Sequence, residues 1–303
     1  MFKGITTALI TPFTNDLEID FESLERILKF QINSNIDFVL LGGSTGEGFN
    51  LMKEEYLKLV QISLEILNNK KPLIANISSA NYRYSLELLK NFNDTSLYGV
   101  ISTPPYYSMP SQDGIFSYFQ EIDKNTKKPV LLYNHPKRTS VDIKENLLVS
   151  LSKLKNIFAL KNSVDDSNRY RQINDLLKLN YSQLELISGD DSTFFYDYML
   201  GSEGLVSVIG NIFPNLIKEI FDLLESQNYK QAFNIFSQIF PIFDILKLEV
   251  NPVVIKYIAF LQKLILTDKI RLPLIGLNEV NKLTVQNKLT IFMKFYNEIN
   301  CSK

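Results

Sequence analysis

Histidine is almost absent from this chain: of 303 residues only His135 is one. A metal site built on two imidazoles is therefore excluded, and a Ser-His-Asp triad would hang on that residue alone. Cysteine is equally scarce. The single Cys301 permits no intrachain disulfide and no thiolate zinc cluster, a usage that fits a reducing cytosol. No apolar run reaches the roughly 18 to 20 residues that a membrane span needs. The opening MFKGITTALITPF carries neither a basic region followed by an apolar one nor a cleavage site, so a cytoplasmic location is expected. Charge of one sign is lacking too: 33 acids face 32 bases, and no basic field draws nucleic acid. What remains is an ordinary globular composition, 45% hydrophobic and 21% charged. Catalysis in such a chain would rest on Lys, Tyr, Ser/Thr or carboxylates, with no metal.

Short apolar, β-branched runs are what the chain does have. ITTALI (5–10), DFVLLGG (37–43), PLIANIS (72–78), YGVIST (98–103), PVLLYN (129–134), NIFALK (156–161), LELISGD (184–190) and GLVSVIG (204–210) make eight. Each is nearly continuous in its apolar character, as parallel strands buried on both faces require. Between them lie segments of helical spacing, such as 21–34, 53–69 and 143–155. Eight strands alternating with helices point to an α/β fold, a (β/α)8 TIM barrel, with a doubly wound open sheet as the other arrangement of such units. The first strand is not followed by G-x-G-x-x-G, so the dinucleotide signature is missing. Beyond about residue 215 the strand signals stop and only helical patterns follow. The expected division is a barrel over 1–223 and a helical extension over 224–303 that packs on it.

A barrel gathers its functional groups at the C-terminal ends of its strands. The second run ends in GGSTGEG, offering Ser44, Thr45 and Glu47; the fourth enters TPPYY, with Tyr106 and Tyr107. The fifth ends in YNHPKRT, with Tyr133 and, on the loop, Arg138; the sixth ends at Lys161 and the seventh in SGDD. Lys161 follows Ile157, Phe158, Ala159 and Leu160. Two readings stand: a strand-end lysine snorkelling into water, or a desolvated amine kept free to attack a ketone. The second needs a proton shuttle, which a tyrosine can supply. Ser44 and Thr45 lie in a turn whose N–H groups can cradle a carboxylate, or simply in a tight strand-to-helix connection. Arg138 has the fork that grips a carboxylate bidentately, although an isolated arginine is more often a surface charge. His135 reads as structural, or as a modest contributor to the pocket.

Together these motifs resemble the dihydrodipicolinate synthase/N-acetylneuraminate lyase family. The resemblance spans essentially the whole chain, through GITTALITPF, GGSTGEG, TPPYYSMPSQDGIFSYF, LLYNHPKRTSVDI, FALKNSVDD, ISGDDSTFF, GLVSVIGNIFPN and NPVVIKYIAFLQKLILTDKIRLPL. It implies that Lys161 forms an imine with pyruvate and that no other cofactor is needed. It also implies that Tyr133 passes protons relayed through Ser44 and Tyr107, with Tyr107 reaching the site of a neighbouring subunit in a homotetramer. Ser44 and Thr45 would hold the pyruvate carboxylate, and Gly189 and Val206 would line the pocket. Arg138 favours the synthase branch, which condenses pyruvate with L-aspartate-4-semialdehyde to 4-hydroxy-tetrahydrodipicolinate in lysine and diaminopimelate synthesis. The alternatives are a sibling lyase of 2-keto sugar acids and, more remotely, a non-catalytic binding barrel. The chain departs from the family where Ser44 replaces a threonine, Lys137 a glycine and His135 an apolar residue. In the region where lysine-inhibited relatives bind their effector stand Phe49, Lys53, Tyr56 and Tyr84. A cationic Lys53 and a missing carboxylate there lead us to expect weak or absent inhibition by L-lysine.

Overall fold

The computed structural model describes residues 1–164, 166–180 and 182–301, with side chains as far as Asn297. Eight strands pair in chain order, each parallel to the next, and the last returns to the first to close a barrel. They are β1 Gly4–Ala8, β2 Phe38–Leu41, β3 Leu73–Asn76, β4 Gly99–Ser102, β5 Val130–Asn134, β6 Ile157–Asn162, β7 Glu185–Ser188 and β8 Gly204–Ser207. All eight apolar runs contain a strand, so the open-sheet arrangement is not adopted.

Apolar residues on both strand faces produce two separate cores. Ala8, Leu40, Ile74, Ile101, Leu131, Ala159, Ile187 and Val206 point inward, one from each strand, and fill the barrel as a single cluster. Their neighbours Val39, Leu41, Leu73, Val100, Leu132, Leu160, Leu186 and Leu205 point outward into the layer beneath the helices. Because side chains alternate along a strand, the parity of each run decides what enters the barrel. One step beyond the apolar plug, that parity carries Asn76, Thr103, Tyr133, Lys161 and Gly189 to the inner face at the strands' C-terminal ends.

Parity in β6 depends on an irregularity. Val130 pairs with Ile157 but Leu131 with Ala159, so Phe158 is extra in the ladder. Ile157 then faces the helix layer while both Phe158 and Ala159 contact the inner cluster. A bulge of this kind re-aims the residues that follow it. Here it leaves Lys161 paired with Tyr133 and turned into the barrel.

The helices begin where local chemistry allows. Asp20, Asn81, Ser111 and Asp166 accept bonds from N–H groups of the first turns of Phe21–Ile32, Tyr82–Phe92, Gln112–Asn125 and Ser167–Leu179. After β8 the chain turns through a short 3-10 segment, Ile209–Asn211, where the sequence pattern predicts continued strand. The strand ends because the buried Asp191 carboxylate takes the Ser207 hydroxyl and the N–H groups of Val208 and Ile209. Helices Pro214–Glu225, Tyr229–Gln238, Phe240–Leu246, Val253–Leu261 and Glu279–Cys301 follow. Cys301 ends the last of them, and its side chain lies outside the described residues. No helix among the described residues is long and apolar enough to cross a membrane.

Candidate active site

A cavity of about 500 Å³ opens at the C-terminal ends of the strands. Lys161 reaches it from β6 with 8% of its surface exposed, and its Nζ lies 3.9 Å from the centre of the Tyr133 ring on β5. Among the described residues no carboxylate forms an ion pair with Lys161. The snorkelling reading fits less well: most of the side chain is buried, and its amine lies against an aromatic face within the cavity rather than out in bulk solvent.

Gly189 explains the room around that amine. A Cβ there would stand 1.9 Å from Ser163 Oγ, 3.0 Å from Asn162 O and 3.1 Å from Lys161 Cε, so any side chain would press on the lysine. Val206 lines the floor, and Ser44 and Thr45 line the wall beyond β2. Thr45 Oγ1 accepts a bond from Asn251 Nδ2 at 2.9 Å. Arg138 lines the mouth from a short helix, Pro136–Thr139, is itself exposed, and has no ion-pair partner among the described residues. Of the eight site residues named from sequence, seven therefore line one cavity. Tyr107 does not: it is 93% exposed and is not among the residues that line this cavity, whereas its neighbour Tyr106 is.

Three sequence-based assignments change. Glu47 is no rim group; it is fully buried and pairs with Lys256 Nζ at 2.7 Å while accepting the Arg271 N–H. Lys256 also donates to Lys269 O at 2.8 Å and lies over the Phe13 ring. Burial pulls its amine well below the usual lysine range, and Glu47 opposes that shift. The pair ties the GGSTGEG turn to the C-terminal helices. Second, Lys53 does not stand unopposed. It binds Glu87 at 2.7 Å, on the same helix as Tyr84, while Tyr56 is buried and donates to Asn76 O. The Glu87 carboxylate thus offsets part of the repulsion that a ligand ammonium would meet at Lys53. Third, the helical extension is not merely packed on the barrel. Phe243, Lys247, Asn251 and Val254 form part of the cavity wall. Asn251 opens the NPVVIKY segment, but nothing local marks it as facing Thr45.

Two titratable groups border the site, Asp191 buried and His135 half-buried. Burial pushes the Asp191 carboxyl up to about 6, against the bonds it receives from Ser207 and the following backbone. Burial likewise lowers the His135 imidazole to about 4, and the cations Lys161 and Arg138 lower it further.

The arrangement of an unpaired buried amine, a phenol across from it, hydroxyls in a tight turn and a free guanidinium suits imine chemistry on a small keto acid. The family model of the dihydrodipicolinate synthetase family matches residues 1–292. The chain belongs to that family. It is 38% identical over 290 residues to the 4-hydroxy-tetrahydrodipicolinate synthase of Rickettsia canadensis, covering 96% of this chain and 97% of that one. The solved 4-hydroxy-tetrahydrodipicolinate synthase of the methanotroph Methylacidiphilum fumariolicum SolV superposes with a TM-score of 0.93 at 31% identity, covering 99% of both chains. A chloride-inhibited dihydrodipicolinate synthase from Acinetobacter baumannii, solved with pyruvate, gives a TM-score of 0.91 at 29% identity over 96% of this chain and 99% of that one.

Proposed function

We propose that this site condenses pyruvate with L-aspartate-4-semialdehyde to 4-hydroxy-tetrahydrodipicolinate through an imine on Lys161 Nζ, with no further cofactor. The observation that carries it is the buried, unpaired Lys161 amine 3.9 Å from the Tyr133 ring. The amine adds to the keto carbon of pyruvate, and the oxygen leaves as water after taking protons. The iminium then draws electrons from the methyl carbon, which loses a proton and becomes the nucleophile of an enamine. That carbon bonds to the aldehyde carbon, whose oxygen is protonated to the hydroxyl. Finally the amino group of the former semialdehyde attacks the imine carbon, closes the ring and frees Lys161.

Each step needs a proton moved at a defined place, and the Tyr133 phenol on the adjacent strand is the group to move it. Ser44 continues the relay, and Tyr107 completes it in a neighbouring subunit of a homotetramer, a role supported by its 93% exposure. The pyruvate carboxylate lies at Ser44 and Thr45. Thr45 can donate to it because its oxygen already accepts from Asn251. Arg138, which has no ion-pair partner among the described residues, holds the carboxylate of the semialdehyde. Gly189 and Val206 keep space beside the imine carbon. We also treat residues 1–223 as the catalytic barrel, residues 224–303 as its extension, and the cytoplasm as the location of the enzyme.

Borohydride reduction in the presence of pyruvate tests the reading. A reduced pyruvyl adduct mapped by peptide mass spectrometry to Lys161, absent in Lys161→Ala, is the expected result. An unmodified Lys161 refutes it.

A further inference from the structure

The one histidine of the chain sits in the cavity wall and is not used by the chemistry above. His135 follows β5 directly, its ring centre 5.8 Å from that of Tyr133. Its carbonyl accepts the Arg138 N–H at 2.9 Å, which fixes the two residues in one short turn, and both line the cavity. Among the described residues, the charged groups acting on the ring are Lys161, Arg138 and Lys137, which lower its basicity, and Asp190, which opposes them. Burial, with the cations Lys161, Arg138 and Lys137 nearby, keeps the imidazole neutral near pH 7. A neutral imidazole carries one N–H and one bare nitrogen. Nδ1 is buried with no hydrogen-bond partner. Placing the single proton there would bury an unmet donor, whereas placing it on Nε2 puts the N–H at the nitrogen left to meet the cavity.

We propose that His135 is a specificity-determining residue that presents a neutral Nε2–H donor to the carboxylate of the aldehyde substrate beside Arg138. This rests on the reading of the site as an aldolase joining pyruvate to L-aspartate-4-semialdehyde. A neutral donor complements the Arg138 fork without adding a fourth cation next to the Lys161 amine. It acts on the second substrate only, because the imine with pyruvate forms before the aldehyde is engaged.

Two amide replacements separate the ring nitrogens. Glutamine sets an N–H near the Nε2 position, and asparagine sets one near Nδ1. The purified full chain is assayed as wild type, His135→Gln, His135→Asn and His135→Leu, with KM measured separately for pyruvate and semialdehyde. Borohydride trapping on Lys161 is run in parallel. The expected result is a semialdehyde KM raised about tenfold in the Asn and Leu variants, the size of one lost hydrogen bond to a charged group. The Gln variant stays within about threefold of wild type, and pyruvate KM and trapping are unchanged in all. The profile of kcat/KM for semialdehyde against pH keeps its shape between about pH 5.5 and 8 in His135→Gln, because no imidazole titrates there. The proposal is overturned if Asn and Leu match wild type, if Gln is as impaired as Leu, or if pyruvate KM rises in step. Should the Leu variant fail to fold, the Gln and Asn pair decides. Absence of a trapped adduct in the wild type would instead sink the aldolase reading itself.

Discussion

Replacing Gly189 by alanine tests whether space, and not only residue identity, sets the reactivity of Lys161. The added Cβ meets three atoms: Ser163 Oγ at 1.9 Å, Asn162 O at 3.0 Å and Lys161 Cε at 3.1 Å. Ser163 can rotate away and loses only a long 3.3 Å bond from its hydroxyl to Gly189 O. The Asn162 carbonyl is backbone, and it accepts the Gly189 N–H at 3.0 Å, so it cannot yield freely. The remaining strain falls on the lysine stem. Overpacking of this kind costs about 1 to 3 kcal/mol of stability, or roughly 2 to 5 °C in melting temperature for a chain of this size. The lysine stem must give by a few tenths of an ångström, and a displaced reacting group slows chemistry steeply, so the trapping rate should fall by about fivefold to tenfold. The assay is the rate of borohydride-trapped pyruvate adduct by intact mass, alongside thermal melting. Gly189→Ala/Ser163→Ala removes the shortest contact and keeps the one with Lys161, so it should regain stability without regaining rate. Trapping by Gly189→Ala at the wild-type rate would refute the reasoning, as would a double variant restored to full rate.

Two further outcomes follow from the buried charges. Lys256→Met strands the Glu47 carboxylate in the core with only the Arg271 N–H, and it should lower unfolding stability in urea by about 3 to 5 kcal/mol. Adding Glu47→Gln should recover part of that loss, and an unchanged midpoint in Lys256→Met would contradict the assignment. Asp191 takes its proton at about 6 in the fold against 3.8 in the unfolded chain, so its ionised form weighs against the fold above about pH 6, and that cost disappears as pH falls toward 4. Asp191→Asn lacks this dependence, so the stability gap between variant and wild type must change between pH 7 and pH 4.5. A gap that stays constant across that range excludes the raised pKa. His135 runs the other way, losing stability as pH drops from its ordinary 6.5 toward about 4, which is why the variant must be compared with wild type at each pH.

The barrel is legible in the sequence because both its cores are written locally. Alternating inward and outward apolar residues occupy every strand, so eight continuous apolar runs are a signature that needs no tertiary information. Lys161 and Tyr133 were readable because each stands at or next to the end of an apolar run, where a barrel gathers its functional groups, whereas Gly189 came from the resemblance alone. Glu47 misled because a carboxylate in a rim turn looks solvent-facing until its partner is known. That partner, Lys256, lies 209 residues away. Lys53 misled in the same manner, its charge being answered from a different helix by Glu87.

The sequence by itself determined the strands and which side chains crown them, since apolar runs and strand-end position are properties of a few adjacent residues. Only the tertiary structure decided how the crown is finished. The bulge at Phe158 turns Lys161 inward, the helical extension brings Asn251 to Thr45 across 206 residues, and Lys256 locks the turn that carries Thr45. Such pairings depend on the packing of distant segments against one another, and no local pattern encodes which buried acid will meet which buried base.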